Sequence, residues 1–298
     1  ELGKTCFLQN FVDHDSSPAA RDFACNPHSY NGHDGTDIRL KNLAAVRAGV
    51  VVKAVADGVV LGARDEIVDD GVGADRKARV AGKECGNGVH IQHADGYRSQ
   101  SCHMQRGSIR VRSGQAVKAG DVLGSIGLSG HTEFPHLHLG IWKNNVAIDP
   151  FTATPITTAC DESLAGNPRG LWATPVAYQP TALLNDGFAE AAPDKTQMRN
   201  TPTNLTTLPV TAPALLYWVD IMNLRAGDVL TLTITAPDGQ VFATRTITHE
   251  KPLAAYFGFI GKRNSSGKLA VGKYVASAVL VRDKQVLIKN TQSIRVHE

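Results

Sequence analysis

The 298-residue chain lacks the features that mark several large classes of protein. It has no apolar run near the roughly 18 residues that span a bilayer, so we expect no transmembrane helix. Its lysines and arginines form no dense stripe with interleaved aromatic residues, which argues against a nucleic-acid partner. The net charge of +3 favours an anionic partner only slightly. What is present, 42% hydrophobic residues and 28 glycines, predicts a folded, turn-rich protein.

The first residues, "ELGKTCFLQN", have neither the basic start nor the apolar stretch of a secretion signal. We therefore predict a mature form from which a signal peptide has been removed. No two of the five cysteines form a CxxC pair, which disfavours a structural zinc knuckle and favours disulfides. The sequence thus predicts a periplasmic or secreted protein, the alternative being free thiols in the cytosol. We expect pairs Cys6–Cys25 and Cys85–Cys102, with Cys160 unpaired, although spacing leaves the connectivity open.

Short Val- and Ile-rich runs separated by glycine turns extend from Ala44 to about Val146. Such runs predict a mostly β domain of antiparallel strands. Between them, residues 64–84 ("RDEIVDDGVGADRKARVAGKE") are charged and aperiodic. This segment is predicted to be a surface loop rather than a helix, at the side of a binding groove.

The domain organisation is predicted from composition and periodicity. Residues 1–151 form the first domain, 152–210 a Pro/Thr-rich connector and 211–298 a second domain. In "VLTLTIT" Leu230, Leu232 and Ile234 alternate with threonines, as in a sheet with one buried face. Several such strands at short spacing predict an immunoglobulin-like β-sandwich, for which no motif indicates a role.

Histidines are concentrated before residue 150, where nine of the eleven lie. In "FPHLHLGIW" the apolar residues favour a strand, and alternate strand residues share a face. His136 and His138 should therefore project side by side, while Leu137 and Leu139 face the core. Two imidazoles placed in this way can have different roles: one can bind a metal, and the other can contact a water bound to that metal.

The stretch "GHDGTDIRL" supplies a further imidazole and a carboxylate. Catalytic zinc takes three protein ligands with N or O donors and keeps a position for water. We predict that His33, Asp37 and His138 form this set, since two imidazoles and one carboxylate suit hydrolytic zinc better than harder metals. His103, in "SQSCHM", is within reach if its strand neighbours the strand of His136.

Three stretches in this order, "GHDGTDIRL", "GNGVHIQHADGYRSQSCHM" and "FPHLHL", resemble the HxxxD, xxH and HxH motifs of the LytM/lysostaphin-type zinc metallopeptidases, peptidase family M23. The resemblance covers roughly residues 30 to 150. It implies an antiparallel β-sheet peptidase domain with zinc in a groove walled by loops. It also implies an endopeptidase that hydrolyses peptide crosslinks or stem peptides of bacterial peptidoglycan.

By motif position, His33, Asp37 and His138 resemble the zinc ligands of this family. His103 and His136 resemble its two further active-site histidines, and the resemblance does not tell which of them is the general base. The segment "LSGHTEFPHLH" and the following "LGIW" depart from the common pattern, which concerns the shape of the substrate groove.

The sequence is also compatible with two functions other than peptidoglycan hydrolysis. One is a secreted zinc protease that acts on protein substrates. The other is a wall-binding regulatory protein in which the zinc is structural, against which the complete set of five residues argues. His14, in "VDHDSS", is a candidate for a residue that caps the metal in an inhibited form.

Overall fold

The computed structural model describes residues 1–70, 76–166, 170–265 and 267–298. The chain divides into two compact units, Glu1–Pro180 and Thr181–Glu298. Both consist mainly of antiparallel strands, which confirms the predicted mostly β fold class. Among the described residues, no helix is both long enough and apolar enough to cross a bilayer.

In its described residues the first unit contains strands, short α-helices and two 3-10 helices, Ala94–Gly96 and Glu162–Ala165. In chain order the elements are β1 Cys6–Asn10, β2 Gly35–Leu40, α1 Leu43–Ala48, β3 Val51–Lys53, β4 Gly58–Arg64, α2 Arg76–Arg79, β5 Asn87–Gln92, β6 Tyr97–Met104, β7 Ala116–Val117, β8 Val122–Ser125, β9 His136–Lys143, β10 Val146–Asp149 and β11 Thr154–Pro155.

The second unit contains β12 Ala182–Ala189, α3 Lys195–Asn200, β13 Thr207–Pro209, β14 Ala214–Leu224, β15 Val229–Thr235, β16 Val241–Thr248, β17 Leu253–Arg263, β18 Gly272–Arg282 and β19 Gln285–His297.

The main sheet of the first unit has the strand order β1-β2-β9-β6-β5-β4-β7, and β10 and β11 extend it beside β9. On β9 the apolar residues Leu137, Leu139 and Ile141 are buried in the core between the sheet and the β3–β8 ribbon. The alternate residues His136 and His138 project from the opposite face, as the sequence predicts. The strand β9 thus contributes apolar side chains to the core on one face and histidines to the candidate site on the other.

The N-terminal segment is held by an aromatic cluster of its own. Phe11 and Phe23 are buried and pack with Phe151 and Tyr178 at ring-centroid distances of 5.0–5.6 Å. Buried aromatic side chains remove large apolar areas from water and pack in a few preferred geometries. The segment before β2 is therefore a packed part of the first unit and not a free extension.

The second unit is a sandwich of two sheets, with strand orders β12-β14-β17 and β13-β19-β18-β15-β16. Leu230, Leu232 and Ile234 are fully buried between them. The intervening threonines lie on the outer face, where Thr231 pairs with Thr246 of β16 through their hydroxyl groups at 3.1 Å. The period-2 interpretation of this strand is confirmed.

Residues 152–210 are shared between the two units. Their first part, with β11 and the side chains of Trp172 and Tyr178, packs in the first unit. Their later part forms β12, which pairs along β14 and buries Leu184 and Phe188. The sequence did not predict these strands. Each is held against a sheet by only a few apolar side chains, which leave no clear pattern in a Pro- and Thr-rich stretch.

The charged segment 64–84 is mostly irregular in its described part, but Arg76–Arg79 forms one turn of helix, and residues 71–75 lie outside the described residues. Asp65 accepts hydrogen bonds from the backbone N–H of Gly107 and Ile109. Asp69 does the same for Arg106 and Leu128. Its acidic residues thus bind backbone donors of the neighbouring loops.

The disulfides differ from the expected pairs. Cys85–Cys102 is present, but Cys25 pairs with Cys160, and Cys6 is a free thiol. The expected Cys6–Cys25 pair and the unpaired Cys160 were wrong. The backbone N–H of Asp161 donates to the carbonyl of Phe23 at 2.8 Å, which brings the two remote segments together. The spacing of the cysteines along the sequence does not predict this contact.

We expect the double variant Cys25→Ser/Cys160→Ser to lower the free energy of unfolding of the first unit by about 2–5 kcal/mol, because the bond closes a long loop. Urea unfolding followed by tryptophan fluorescence measures the change. Cys6→Ser is the matched control and should leave the unfolding curve unchanged. Peptide mapping that linked Cys6 to Cys25 would contradict the assignment.

Candidate metal centre

A row of polar side chains crosses three strands of the main sheet. Asp37 of β2 lies opposite His138 of β9 and, on its other side, opposite Asn10 of β1. Residues directly opposite in an antiparallel sheet project to the same face. The Oδ1 atom of Asp37 consequently lies 3.1 Å from Nδ1 of His138.

His33 enters this row from the loop before β2. Its Nε2 lies 3.2 Å from Oδ1 of Asp37 and 3.1 Å from Nδ1 of His138. Its Nδ1 lies 2.7 Å from the carbonyl oxygen of Phe11. A carbonyl only accepts, so we assign the ring proton to Nδ1, and Nε2 faces the other two residues with a lone pair.

The three side chains suit a divalent cation. Their ligand atoms lie within 4.8 Å of one another, and His33 and Asp37 are buried. Burial lowers the pKa of His138, but hydrogen bonds with Asp34 and Asp37 raise it to about 9. The pocket therefore attracts positive charge, and its N and O donors are those that zinc prefers.

Two further imidazoles border the cluster. The rings of His103 and His136 are 4.6 Å apart, and the ring of His103 is 6.2 Å from that of His138. Nδ1 of His103 donates to the carbonyl of Ser129 at 2.9 Å, and Nδ1 of His136 donates to that of Phe134 at 2.8 Å. When neutral, both rings therefore carry their lone pair on Nε2, and Nε2 of His136 lies 3.4 Å from Oδ1 of Asp37.

The backbone of His103 departs from ordinary strand geometry, with a φ of 60°. This left-handed conformation is uncommon for a residue other than glycine. It is held by hydrogen bonds from its N–H to the carbonyl of Cys85 and from the N–H of Gly127 to its own carbonyl, at 2.7 and 3.0 Å. Cys102, which forms a disulfide with Cys85, directly precedes His103. The backbone at His103 is therefore held by a covalent bond and by hydrogen bonds.

All five residues that the sequence proposed for the site lie in this one cluster; their roles remain a proposal. His14 does not join them. Both of its ring nitrogens are engaged elsewhere, at 2.7 Å from the carbonyl of Thr158 and 3.0 Å from Asp149. The proposed inhibitory cap by His14 therefore has no support in the structure.

Sequence reasoning missed three neighbours of the cluster. Asn10 hydrogen-bonds Asp37, Asp34 lies 3.5 Å from Nε2 of His138, and the ring of Tyr30 stacks on His33 at 4.3 Å. Asp34 stands inside the HxxxD motif, where its position could have drawn attention. Asn10 belongs to no motif and could be found only from the pairing of β1 with β2.

Gly35 is required by the close approach of His138. A Cβ atom at this position would lie 2.5 Å from Nε2 of His138 and 2.9 Å from the carbonyl oxygen of Leu139. Both distances are far below van der Waals contact, so a side chain here would displace the imidazole. Gly35 thus leaves space for the imidazole of His138 on the adjacent strand β9.

Comparison with known proteins matches the segment that carries the five cluster residues to a family. Residues 31–150 match the model described as Peptidase family M23, which confirms the resemblance read from the motifs. A peptidoglycan DD-endopeptidase, ShyC of Vibrio cholerae, is 33% identical over 89 residues, 28% of this chain and 20% of that protein. The DD-carboxypeptidase/endopeptidase Mpg of Neisseria meningitidis is 29% identical over 139 residues, 46% of this chain and 26% of that protein.

The solved catalytic domain of lysostaphin from Staphylococcus simulans is 26% identical, with a TM-score of 0.28; the match covers 40% of this chain and 77% of that domain. The matched part spans only about a fifth to a quarter of the length of the two curated relatives.

We expect Gly35→Ala to weaken the binding of a divalent cation such as zinc at this cluster about 10- to 100-fold, because the ring of His138 must move away from the new methyl group. The forced contact should also cost about 1–3 kcal/mol of stability. Competition with a chromophoric chelator measures the affinity. Gly62→Ala on β4, where a new Cβ meets nothing within 4 Å, is the matched control. Equal zinc affinity of both variants would contradict the proposed ligand geometry.

Proposed function

We propose that the chain is a zinc-dependent endopeptidase that hydrolyses peptide crosslinks or stem peptides of bacterial peptidoglycan. His33, Asp37 and His138 would hold the zinc, and His103 and His136 would act in catalysis. The proposal assigns the active site to the first unit and leaves the role of the second unit open.

One observation carries this proposal. The ligand atoms of two buried residues and one partly buried residue converge within 4.8 Å, and the rings of two further histidines lie beside them. Structural metal sites have no need of additional proton acceptors, whereas hydrolytic sites do. The match of residues 31–150 to peptidase family M23 supports a peptidase. The names of the relatives ShyC and Mpg support peptidoglycan as the substrate class.

The chemistry needs a strengthened nucleophile and stabilisation of the oxyanion that forms when a peptide carbonyl is attacked. Zinc, when bound, would supply Lewis acidity that activates a water and polarises the carbonyl. Asp37 is suited to remain an anionic ligand. Burial raises the pKa of its carboxyl, but the opposing effect of the neighbouring His136 and His33 is larger, so the pKa lies well below its usual value.

His103 and His136 are suited to move protons. Burial lowers the pKa of His103 well below its usual value, and the neighbouring His136 and His138 lower it further. His103 is therefore neutral near pH 7 and can accept the proton of the attacking water at Nε2. His136 has the same neutral tautomer, with its Nε2 3.4 Å from Oδ1 of Asp37. Either ring can therefore take this proton, and the other can stabilise the developing oxyanion when its Nε2 is protonated and donates to it.

A location outside the cytoplasm, periplasmic or secreted, is part of the proposal. The disulfides Cys25–Cys160 and Cys85–Cys102 support it, because such bonds persist in oxidising compartments. The substrate would also be found there.

We expect the zinc-loaded protein to convert a defined crosslinked muropeptide dimer into smaller products that mass spectrometry identifies. A chelator should stop the reaction, and added zinc should restore it, because the ligand set is otherwise complete. Intact dimers at several pH values would overturn the peptidoglycan proposal. Cleavage of a glycine-rich protein without release from sacculi would instead favour a protease on protein substrates.

His103→Ala and His136→Ala should each lower kcat by about 10²- to 10⁴-fold, the usual contribution of one acid–base group. Both variants should keep stoichiometric zinc, measured by elemental analysis. His90→Ala, which changes a partly exposed histidine of β5, is the control and should retain full activity. Full activity of both active-site variants would indicate that the zinc has a structural role.

A further inference from the structure

The strand at one edge of the main sheet, β1, precedes the residues 31–150 that match the peptidase family. It nevertheless borders the candidate metal centre. Asn10 at its end lies opposite Asp37, and Phe11 follows directly. This part of the chain therefore contacts two of the three proposed zinc ligands from outside the family segment.

Asn10 acts on the outer oxygen of the carboxylate. Its Nδ2 donates to Oδ2 of Asp37 at 2.8 Å, while Oδ1 of Asp37 faces the imidazoles of His33 and His138. A hydrogen bond to one oxygen fixes the rotation of the carboxylate, and the other oxygen is left for the cation. Such outer contacts orient metal ligands and are important for affinity.

Phe11 acts on the imidazole of His33 in the same way. Its carbonyl oxygen accepts the proton of Nδ1 at 2.7 Å, which leaves Nε2 as the ligand atom. The backbone N–H of Asp13 donates to the carbonyl of His33 at 2.8 Å. The loop that carries His33 is thus bound to the N-terminal segment through both its backbone and its side chain.

The segment is firm enough to position these ligands. The side chain of Phe11 is fully buried, in the aromatic cluster with Phe23, Phe151 and Tyr178. The disulfide Cys25–Cys160 ties the same segment to residues after β11. A hydrogen-bond donor on such a support loses little freedom when the metal binds, so its contribution to affinity is retained.

We propose that Asn10 is a positioning residue for zinc and that it acts through Asp37, together with the carbonyl of Phe11, which acts through His33. The metal site is then completed by a segment that the family match does not include. This inference rests on the proposed zinc site but not on the identity of the substrate.

The test uses the full chain and zinc alone. Asn10→Ala removes the donor, and Asn10→Leu removes it while it keeps the number and branching of the side-chain heavy atoms. Both should raise the Kd for zinc about 10- to 100-fold in competition with a chromophoric chelator. Asn26→Ala is the matched control, because Asn26 lies in the same segment and donates to Ala24 and Tyr178 but to no proposed ligand. Its zinc affinity should stay near that of the original protein.

The thermal midpoint of the zinc-free protein separates positioning from folding. Asn10→Leu should have a zinc-free midpoint near that of the original protein and still bind zinc weakly. Zinc affinity of both Asn10 variants equal to that of the control would overturn the inference and leave the proposed function standing. If the unchanged protein binds no zinc, the proposed function itself fails, which is a distinguishable result.

Discussion

The convergence of one carboxylate and two imidazoles on one face of the main sheet is the constraint on which the candidate site depends. The ligand atoms of His33, Asp37 and His138 face one another at 3.1–3.2 Å. Lone pairs at such distances are unfavourable unless a proton or a metal ion lies between them. In the protein alone, hydrogen bonds with Asp34 and Asp37 supply such a proton by raising the pKa of His138 to about 9. The register of β2 against β9 and the small size of Gly35 make the arrangement possible.

The strand β9 links this site to the stability of the unit. Leu137 and Leu139 are buried in the core, and each apolar side chain of this size contributes about 1.5–3 kcal/mol when it is removed from water. A shift of one residue would expose them and turn His136 and His138 inward. The imidazoles are therefore held in place by the same alternation that forms the core, and precise positioning needs no additional device on this strand.

The remaining parts of the site come from segments that are remote along the chain. His103 reaches the cluster through a left-handed backbone held by Cys85 and Gly127, and its ring is held by the carbonyl of Ser129. The N-terminal segment reaches it through Asn10 and Phe11. Both supports are tied by a disulfide, Cys85–Cys102 in one case and Cys25–Cys160 in the other. Strained or long-range contacts at the site are thus supported by covalent links nearby.

The sequence by itself determined the mostly β class, the shared face of His136 and His138 and the motifs that indicate a peptidase, because strand periodicity and motif spacing are local properties. It could not determine that Asn10 touches Asp37 or that Cys25 meets Cys160. Those contacts depend on strand register and on packing between segments that are far apart along the chain. Only the folded chain decides such distances, since no local pattern of residues specifies which remote segments will meet.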